Sequence, residues 1–197
     1  MQFIREYELS DAGVCDALIQ CFQECKALGF VHRGRLGRQK VRVELKDSYD
    51  LSLANIPPEL REKYKECFDA YFAALGEFSS DYMDCFPHLR SHTRPCSINE
   101  SPNIQHYPPK GGFFEEHYEN AGPTVAKRVL TFQSFLNDIA EGGGTRFVYQ
   151  KFTARPSKGK TVLWPAGYTH VHCGEVAPRE DKYIITGWWS YDEPASA

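Results

Sequence analysis

No stretch of this chain approaches the roughly 20 consecutive apolar residues that span a bilayer, and its opening residues, MQFIREYELSD, lack the basic-then-apolar order of a secretory signal. Membrane insertion and export are therefore not expected, and the cytoplasm is the expected location. An excess of basic charge is missing too. The formal net charge of -3 at pH 7 offers no footprint for a nucleic-acid backbone or an anionic lipid surface. The seven cysteines, Cys15, Cys21, Cys25, Cys67, Cys85, Cys96 and Cys173, are odd in number and contain no CxxC pair. Neither a disulfide framework nor a cysteine-rich zinc site is expected of them, and they read as small apolar fillers or free thiols. Internal repeats and low-complexity tracts are also absent. What remains is a chain of 197 residues, 42% hydrophobic, sufficient for one substantial core. A single domain over 1–197 is the expectation.

The first half reads as helical. Gln2 to Glu8 has the texture of a short strand, and Ser10 or Asp11 can cap a helix reaching to about Gly29, with Val14, Leu18, Ile19 and Phe22 on its apolar face. The basic stretch HRGRLGRQKVRVELKDSYDLSL can bind an anion, but a solvated loop entering a strand is the simpler reading. After Pro57 and Pro58, a long amphipathic helix is predicted over about 59–84. Its stripe of Leu60, Tyr64, Phe68, Tyr71, Phe72, Leu75 and Phe78 recurs at helical spacing. An aromatic stripe can line a cofactor, but no polar group converges on this one, so packing against the core accounts for it.

Beyond Pro87 and Pro95 the texture changes. Short segments, NIQHY, GGFFEEHYE, KRVLTFQSFLN, TRFVY, KFTARP, KTVLW, THVHCGE and KYIITGWWSY, alternate with turn-forming NDIAEGGGT, ARPSKGK, WPAGY and VAPREDK. Many short strands with such punctuation predict an antiparallel barrel or sandwich, covered on one outer surface by the preceding helices. His117 and Glu119 are two apart in one of these segments, so strand geometry sends both side chains to one face. Two imidazoles and one carboxylate are the ligand set of non-haem Fe(II) oxygenases, and the second imidazole must come from a distant strand. His32, His88, His92 and His106 lack a supporting pattern. His170 and His172 alternate onto the same face, and periodicity does not choose between them. On the last strand, Lys182, Ile184, Thr186 and Trp188 share a face. Either Lys182 begins an exposed edge, or it points inward and requires an anionic partner, which a dicarboxylate would supply.

Taken in order, HYPPKGGFFEEHYE, RVLTFQSFLNDIAEGGGTRF, KGKTVLWPAGYTHVHCGE and KYIITGWW resemble the Fe(II)/2-oxoglutarate-dependent dioxygenase superfamily, most closely its prolyl-4-hydroxylase-like branch. A weaker likeness begins at Lys46, Ser48 and Asp50 in KDSYD. The resemblance implies a mainly β architecture with N-terminal helices: a double-stranded β-helix (jelly-roll) catalytic core over 101–197 and a largely helical support region over 1–100. It implies Fe(II) bound by His117, Glu119 and His172. The family's pattern of an HxG segment ten residues ahead of the 2-oxoglutarate-binding basic residue is met by His172, Gly174 and Lys182. It is not met by His170, which becomes a supporting pocket residue. Tyr107 resembles the tyrosine lining the co-substrate pocket, and Thr131 stands at a position resembling another residue of that pocket. Asn137, Asp138 and Gly142 to Gly144 read as architecture, and Cys173 falls on the strand face opposite His172.

The implied cofactors are Fe(II), 2-oxoglutarate as co-substrate and O2, with ascorbate as a candidate reductant. The implied reaction is hydroxylation of a C–H bond, first of a prolyl residue in a peptide or protein, with a free amino acid or other small metabolite as the alternative substrate. Prolyl hydroxylases usually carry aspartate where this chain has Glu119, a departure that bears on the substrate more than on the iron. A cupin-like metal protein would also combine histidines, glutamate and a barrel, but it would not require Lys182. A structural jelly-roll interaction domain predicts no metal centre at all. No nucleic-acid or membrane partner is expected, and nothing in the sequence sets the oligomeric state.

Overall fold

The computed structural model describes residues 3–35 and 41–193; Gln2 and residues 36–40 of the basic stretch lie outside the described residues. Strand β1 (Arg5–Glu8) leads into helix α1 (Gly13–Ala27). The Asp11 carboxylate accepts the Gly13 N–H at 2.7 Å, satisfying one of the donors that a helix start leaves free. The helix ends where Gly29 adopts φ +82°. There the Phe30 N–H reaches the Cys25 carbonyl and the Gly29 N–H reaches that of Lys26, a Schellman closure that needs a left-handed residue.

Strands β2 (His32–Arg33) and β3 (Tyr49–Ser52) follow, then helices α2 (Pro58–Lys63), α3 (Lys65–Cys85) and α4 (Pro87–His92). The long helix expected over 59–84 is thus two. Its break lies at Tyr64, whose φ of −102° and ψ of 12° leave the helical region and whose hydroxyl donates to Glu24 on α1 at 3.0 Å. The aromatic stripe packs inward as expected: Tyr71 and Leu75 are fully buried, joined by Tyr82, with Phe68, Phe72 and Phe78 partly buried against the same core.

The remaining strands are β4 (Cys96–Ser97), β5 (Asn103–Tyr107), β6 (Arg128–Phe135), β7 (Thr145–Phe147), β8 (Phe152–Ala154), β9 (Lys160–Pro165), β10 (His172–Gly174) and β11 (Lys182–Tyr191). They form two antiparallel sheets. The larger runs β1-β9-β6-β11-β5-β3-β2, with β4 also paired to β11, and the smaller runs β10-β7-β8. Two strands from the first hundred residues, β1 and β3, extend the large sheet through β9 and β5, so that region supplies sheet as well as helix. Among the described residues the two sheets do not join into a closed barrel.

Side-chain alternation decides what each face of the large sheet does. Phe132, Leu130, Tyr183, Ile185 and Trp189 turn toward α1 and α3 and form the main core with Leu18, Phe22, Tyr71 and Leu75. Phe135, Val162, Trp164 and Ile184 turn the other way and meet Phe147 and Ala154 of the small sheet. A cavity of about 970 Å³ opens between the sheets. No helix among the described residues is long and apolar enough to cross a membrane.

Candidate active site

The segment containing His117 and Glu119 is not a regular strand. It makes only two single bridges, Phe113 with Lys46 and His117 with His172, because its N–H groups are shared among separate partners: Phe114 bonds to Leu45, His117 to His172 and Glu119 to Ala166. These anchors nevertheless bring His117 and Glu119 to the same place. His117 Nε2 lies 3.7 Å and His172 Nε2 3.2 Å from Glu119 Oε1. The ligand atoms of all three lie within 4.8 Å of one another.

Both imidazoles are fixed in tautomer by the backbone. His117 Nδ1 lies 2.8 Å from the Glu115 carbonyl and His172 Nδ1 2.9 Å from the His170 carbonyl. A carbonyl only accepts, so each Nδ1 carries the proton and each Nε2 turns its lone pair to the centre. Phe113 stacks on His117 at 3.9 Å, and Trp164 and Phe147 pack around His172. Burial, reinforced by the neighbouring His172, pushes His117 down to about 4. Burial also opposes ionisation of Glu119, but the surrounding His172, His117 and Arg128 outweigh it and hold the carboxyl at about 2. A neutral imidazole and a carboxylate at neutral pH are the states that bind a divalent metal. The 3.2 Å and 3.7 Å separations put the three donor atoms close enough to share one divalent metal ion.

His170 is not on a strand face with His172. It belongs to a 3-10 turn, Tyr168–His170, which breaks the period of two. Its ring lines a separate apolar pocket with Tyr82, Leu130 and Trp189, and only its carbonyl serves the centre, through His172. Cys173, expected opposite His172, stands 3.2 Å from an Arg146 guanidinium nitrogen.

On β11, Lys182, Ile184, Thr186 and Trp188 all line the cavity. Lys182 is 3% exposed and donates to the Gly143 carbonyl at 3.1 Å and the Glu175 carbonyl at 3.2 Å. It also stands 4.6 Å above the Tyr107 ring. Among the described residues no carboxylate lies within ion-pair distance of it. An ammonium has three donors, so one remains for an anion, and burial pushes the group down to about 8. The same residues that read as architecture shape this pocket. Gly142 holds φ +70°, and a Cβ there would meet the Val176 carbonyl at 2.1 Å, while Gly143 supplies an acceptor for Lys182.

Tyr107 lines the cavity, and its hydroxyl donates to Gln105 Oε1 at 2.7 Å. Thr131 is fully buried on the cavity side of β6, between Trp164 on β9 and Trp188 on β11. Its hydroxyl has no partner among the described residues. The polar wall beside it consists of Gln133 and Thr145, paired at 2.9 Å. Neither residue was a candidate from the sequence, although Gln133 follows Thr131 on the same face. Arg128 and Glu100, bonded at 2.9 Å, line the cavity on the Glu119 side. Beside Phe113, Lys46 pairs with Asp50 at 2.7 Å, and Ser48 donates to the same carboxylate, giving the weak KDSYD signal a structural place.

Residues 102–190 match the family model of the 2OG-Fe(II) oxygenase superfamily. Prolyl 4-hydroxylase 13 of Arabidopsis thaliana is 28% identical over 121 residues, 48% of this chain and 44% of that protein, so the match spans less than half of the curated relative. The folds of a Pseudomonas putida prolyl-4-hydroxylase (TM-score 0.71, 17% identity, 96% of this chain and 94% of that one) and of the viral collagen prolyl hydroxylase of Paramecium Bursaria Chlorella virus-1 in its 2OG complex (0.69, 18%, 97% and 97%) are similar. A Trichoplax adhaerens prolyl hydroxylase in complex with a hypoxia inducible factor oxygen degradation domain peptide fragment is likewise similar (0.70, 14%, 95% and 83%). The two histidines and the glutamate that converge on one point all lie within the segment that resembles the 2OG-Fe(II) oxygenase superfamily.

Proposed function

We propose that this protein is an Fe(II)- and 2-oxoglutarate-dependent dioxygenase that hydroxylates a C–H bond of a prolyl residue in a peptide or protein. The observation carrying this reading is one cavity that holds both a three-residue metal-ligand set and a buried lysine with no carboxylate partner among the described residues. Each half of that pair has a use only if the other is filled.

His117, Glu119 and His172 would hold the iron through two Nε2 atoms and Oε1. Lys182 would pair with one carboxylate of 2-oxoglutarate and thereby present the other end of the co-substrate to the metal. Tyr107, Gln105, Gln133 and Thr145 form the polar wall around that position. Bound iron with 2-oxoglutarate and O2 supplies the oxidising equivalent that inserts oxygen into a C–H bond, with succinate and CO2 as co-products. The chain's own contribution is orientation. Backbone carbonyls hold the imidazole tautomers, Lys182 sets the direction of the co-substrate, and Trp164, Phe147 and Phe113 shield the histidines from water. The two sheets read as a jelly-roll, with β10 and β11 bringing His172 and Lys182 to the cavity.

A cavity of about 970 Å³ is at the upper end of small-molecule pockets and leaves room for an extended chain beside the co-substrate. That supports a peptide over a free amino acid, as do the prolyl hydroxylases of similar fold. Anaerobic loading with Fe(II), followed by O2-dependent succinate release and mass spectrometry on proline-containing peptides and free amino acids, tests both levels. Succinate and a gain of one oxygen on a peptidyl proline are expected. Oxygen on a free amino acid alone would overturn the substrate, and absence of succinate with every substrate would overturn the enzyme.

A further inference from the structure

Glu119 has three side-chain torsions and two equivalent oxygens, so nothing in the residue itself makes it a defined one-oxygen ligand. Its surroundings do. Oε1 faces the two histidine Nε2 atoms, while Oε2 accepts the indole N–H of Trp188 at 2.9 Å and lies 3.6 Å from Arg128 Nη1. The indole is fixed in turn. The Arg128 guanidinium lies 3.5 Å over its ring, and Arg128 is gripped by Glu100 through Nε at 2.9 Å and Nη2 at 2.5 Å. Glu100 also accepts the Ser190 hydroxyl at 3.0 Å. A further Arg128 bond, to the Glu119 backbone carbonyl at 3.1 Å, ties both ends of the glutamate to one guanidinium.

We infer that Trp188, held by Arg128, is a positioning residue that occupies Glu119 Oε2 and so makes Glu119 a one-oxygen metal ligand through Oε1. The inference rests on the metal-site reading above and extends it to a residue that touches neither metal ligand nitrogen nor Lys182. Its physical basis is directional: an indole has a single N–H in the ring plane, and stacking with the guanidinium leaves that plane one orientation. An aspartate at 119 would be one methylene shorter and would draw its second oxygen back from the indole. Trp188 should then matter to metal binding only when residue 119 is glutamate.

The test is a double-mutant cycle on Glu119→Asp and Trp188→Phe, read by anaerobic Co(II) titration with the visible d–d spectrum recorded throughout and circular dichroism to verify folding. Trp188→Phe in the native background is expected to weaken Co(II) binding by about 10–100-fold, the usual loss for removing a group that orients a ligand, and to change the d–d band. In the Glu119→Asp background the same substitution is expected to change affinity by less than about threefold, giving a large coupling. Arg128→Gln, which removes both the stacking on the indole and the guanidinium's own contacts with Glu119, is expected to weaken Co(II) binding in the same direction, and if Trp188→Phe does not fold it replaces that substitution in the same cycle with Glu119→Asp. Equal losses in the two backgrounds, or none in either, would overturn the positioning role while leaving the metal site intact. A wild-type protein that binds no Co(II), or binds it as well after His117→Ala, would overturn the metal site itself.

Discussion

Lys182 carries the sharpest contrast between cost and use. Among the described residues the buried Lys182 ammonium is held only by two carbonyls, an expensive state, and the proposed function gives it an anion to receive. Lys182→Met is therefore expected to weaken 2-oxoglutarate binding by at least about a hundredfold in calorimetry of metal-loaded protein, while leaving the melting temperature unchanged or raised. A clear loss of stability with co-substrate affinity retained would make Lys182 a structural residue. The pH dependence has a definite sign. Because burial lowers the ammonium to about 8 from the usual 10.5, the pocket loses its charge as pH rises through about 8, and 2-oxoglutarate affinity should fall there. Folding stability moves the opposite way: the unfolded chain keeps the proton up to about 10.5, so stability relative to Lys182→Met should rise between these values. Denaturant titrations of the two proteins from pH 7 to 10 measure it. The histidines differ just as plainly, since His172 offers its ring and His170 only its carbonyl. His172→Ala should abolish substrate-free turnover of 2-oxoglutarate and His170→Ala should retain part of it; the reverse would reassign the ligand.

Elements hold these residues through a few joints. The Tyr71 hydroxyl on α3 meets Ser134 on β6 at 2.8 Å, and Ser134 meets Thr161 on β9 at 2.7 Å, a buried polar seam between helix and sheet. Tyr71→Phe is expected to cost about 1 kcal/mol, the net value of one such bond, because Ser134 keeps its second partner. Gly29→Ala, forcing a Cβ into φ +82°, is expected to cost about 1–2 kcal/mol and to fray the end of α1. Chemical denaturation reads both, and a neutral Gly29→Ala would mean that the helix end rearranges. The helix periods were legible because long apolar repeats leave few choices. The break at Tyr64 was not, since Tyr64 keeps the apolar period of its neighbours and its tie to Glu24 comes from a different helix. The strand expected around His117 failed for a similar reason: three different segments claim its N–H groups.

Across the whole molecule, the metal site joins segments far apart in sequence, 113–119 and 172–174, so an occupied site should stabilise the entire fold. At a hundredfold excess over the dissociation constant a ligand specific for the folded state contributes about 2.7 kcal/mol, roughly 5–10 °C in melting temperature for a chain of this size. Fe(II) or Co(II) should raise it by that amount, chelation should reverse it, and His117→Ala should show no shift. The sequence by itself determined the residue types of the chemistry: the HxE pair, the alternation that sets Lys182 beside Ile184, Thr186 and Trp188, and the ordered likeness to an oxygenase family. Those are local in spacing or in linear order. It left open the edge-or-interior position of Lys182, the part played by His170, and the roles of Arg128, Glu100, Gln133 and Thr145. Only the tertiary structure decided these, because each depends on which segments face one another across the cavity. A 3-10 turn removes His170 from the face that periodicity assigned to it, and the packing of Arg128 on Trp188 gives the extra methylene of Glu119 a fixed direction.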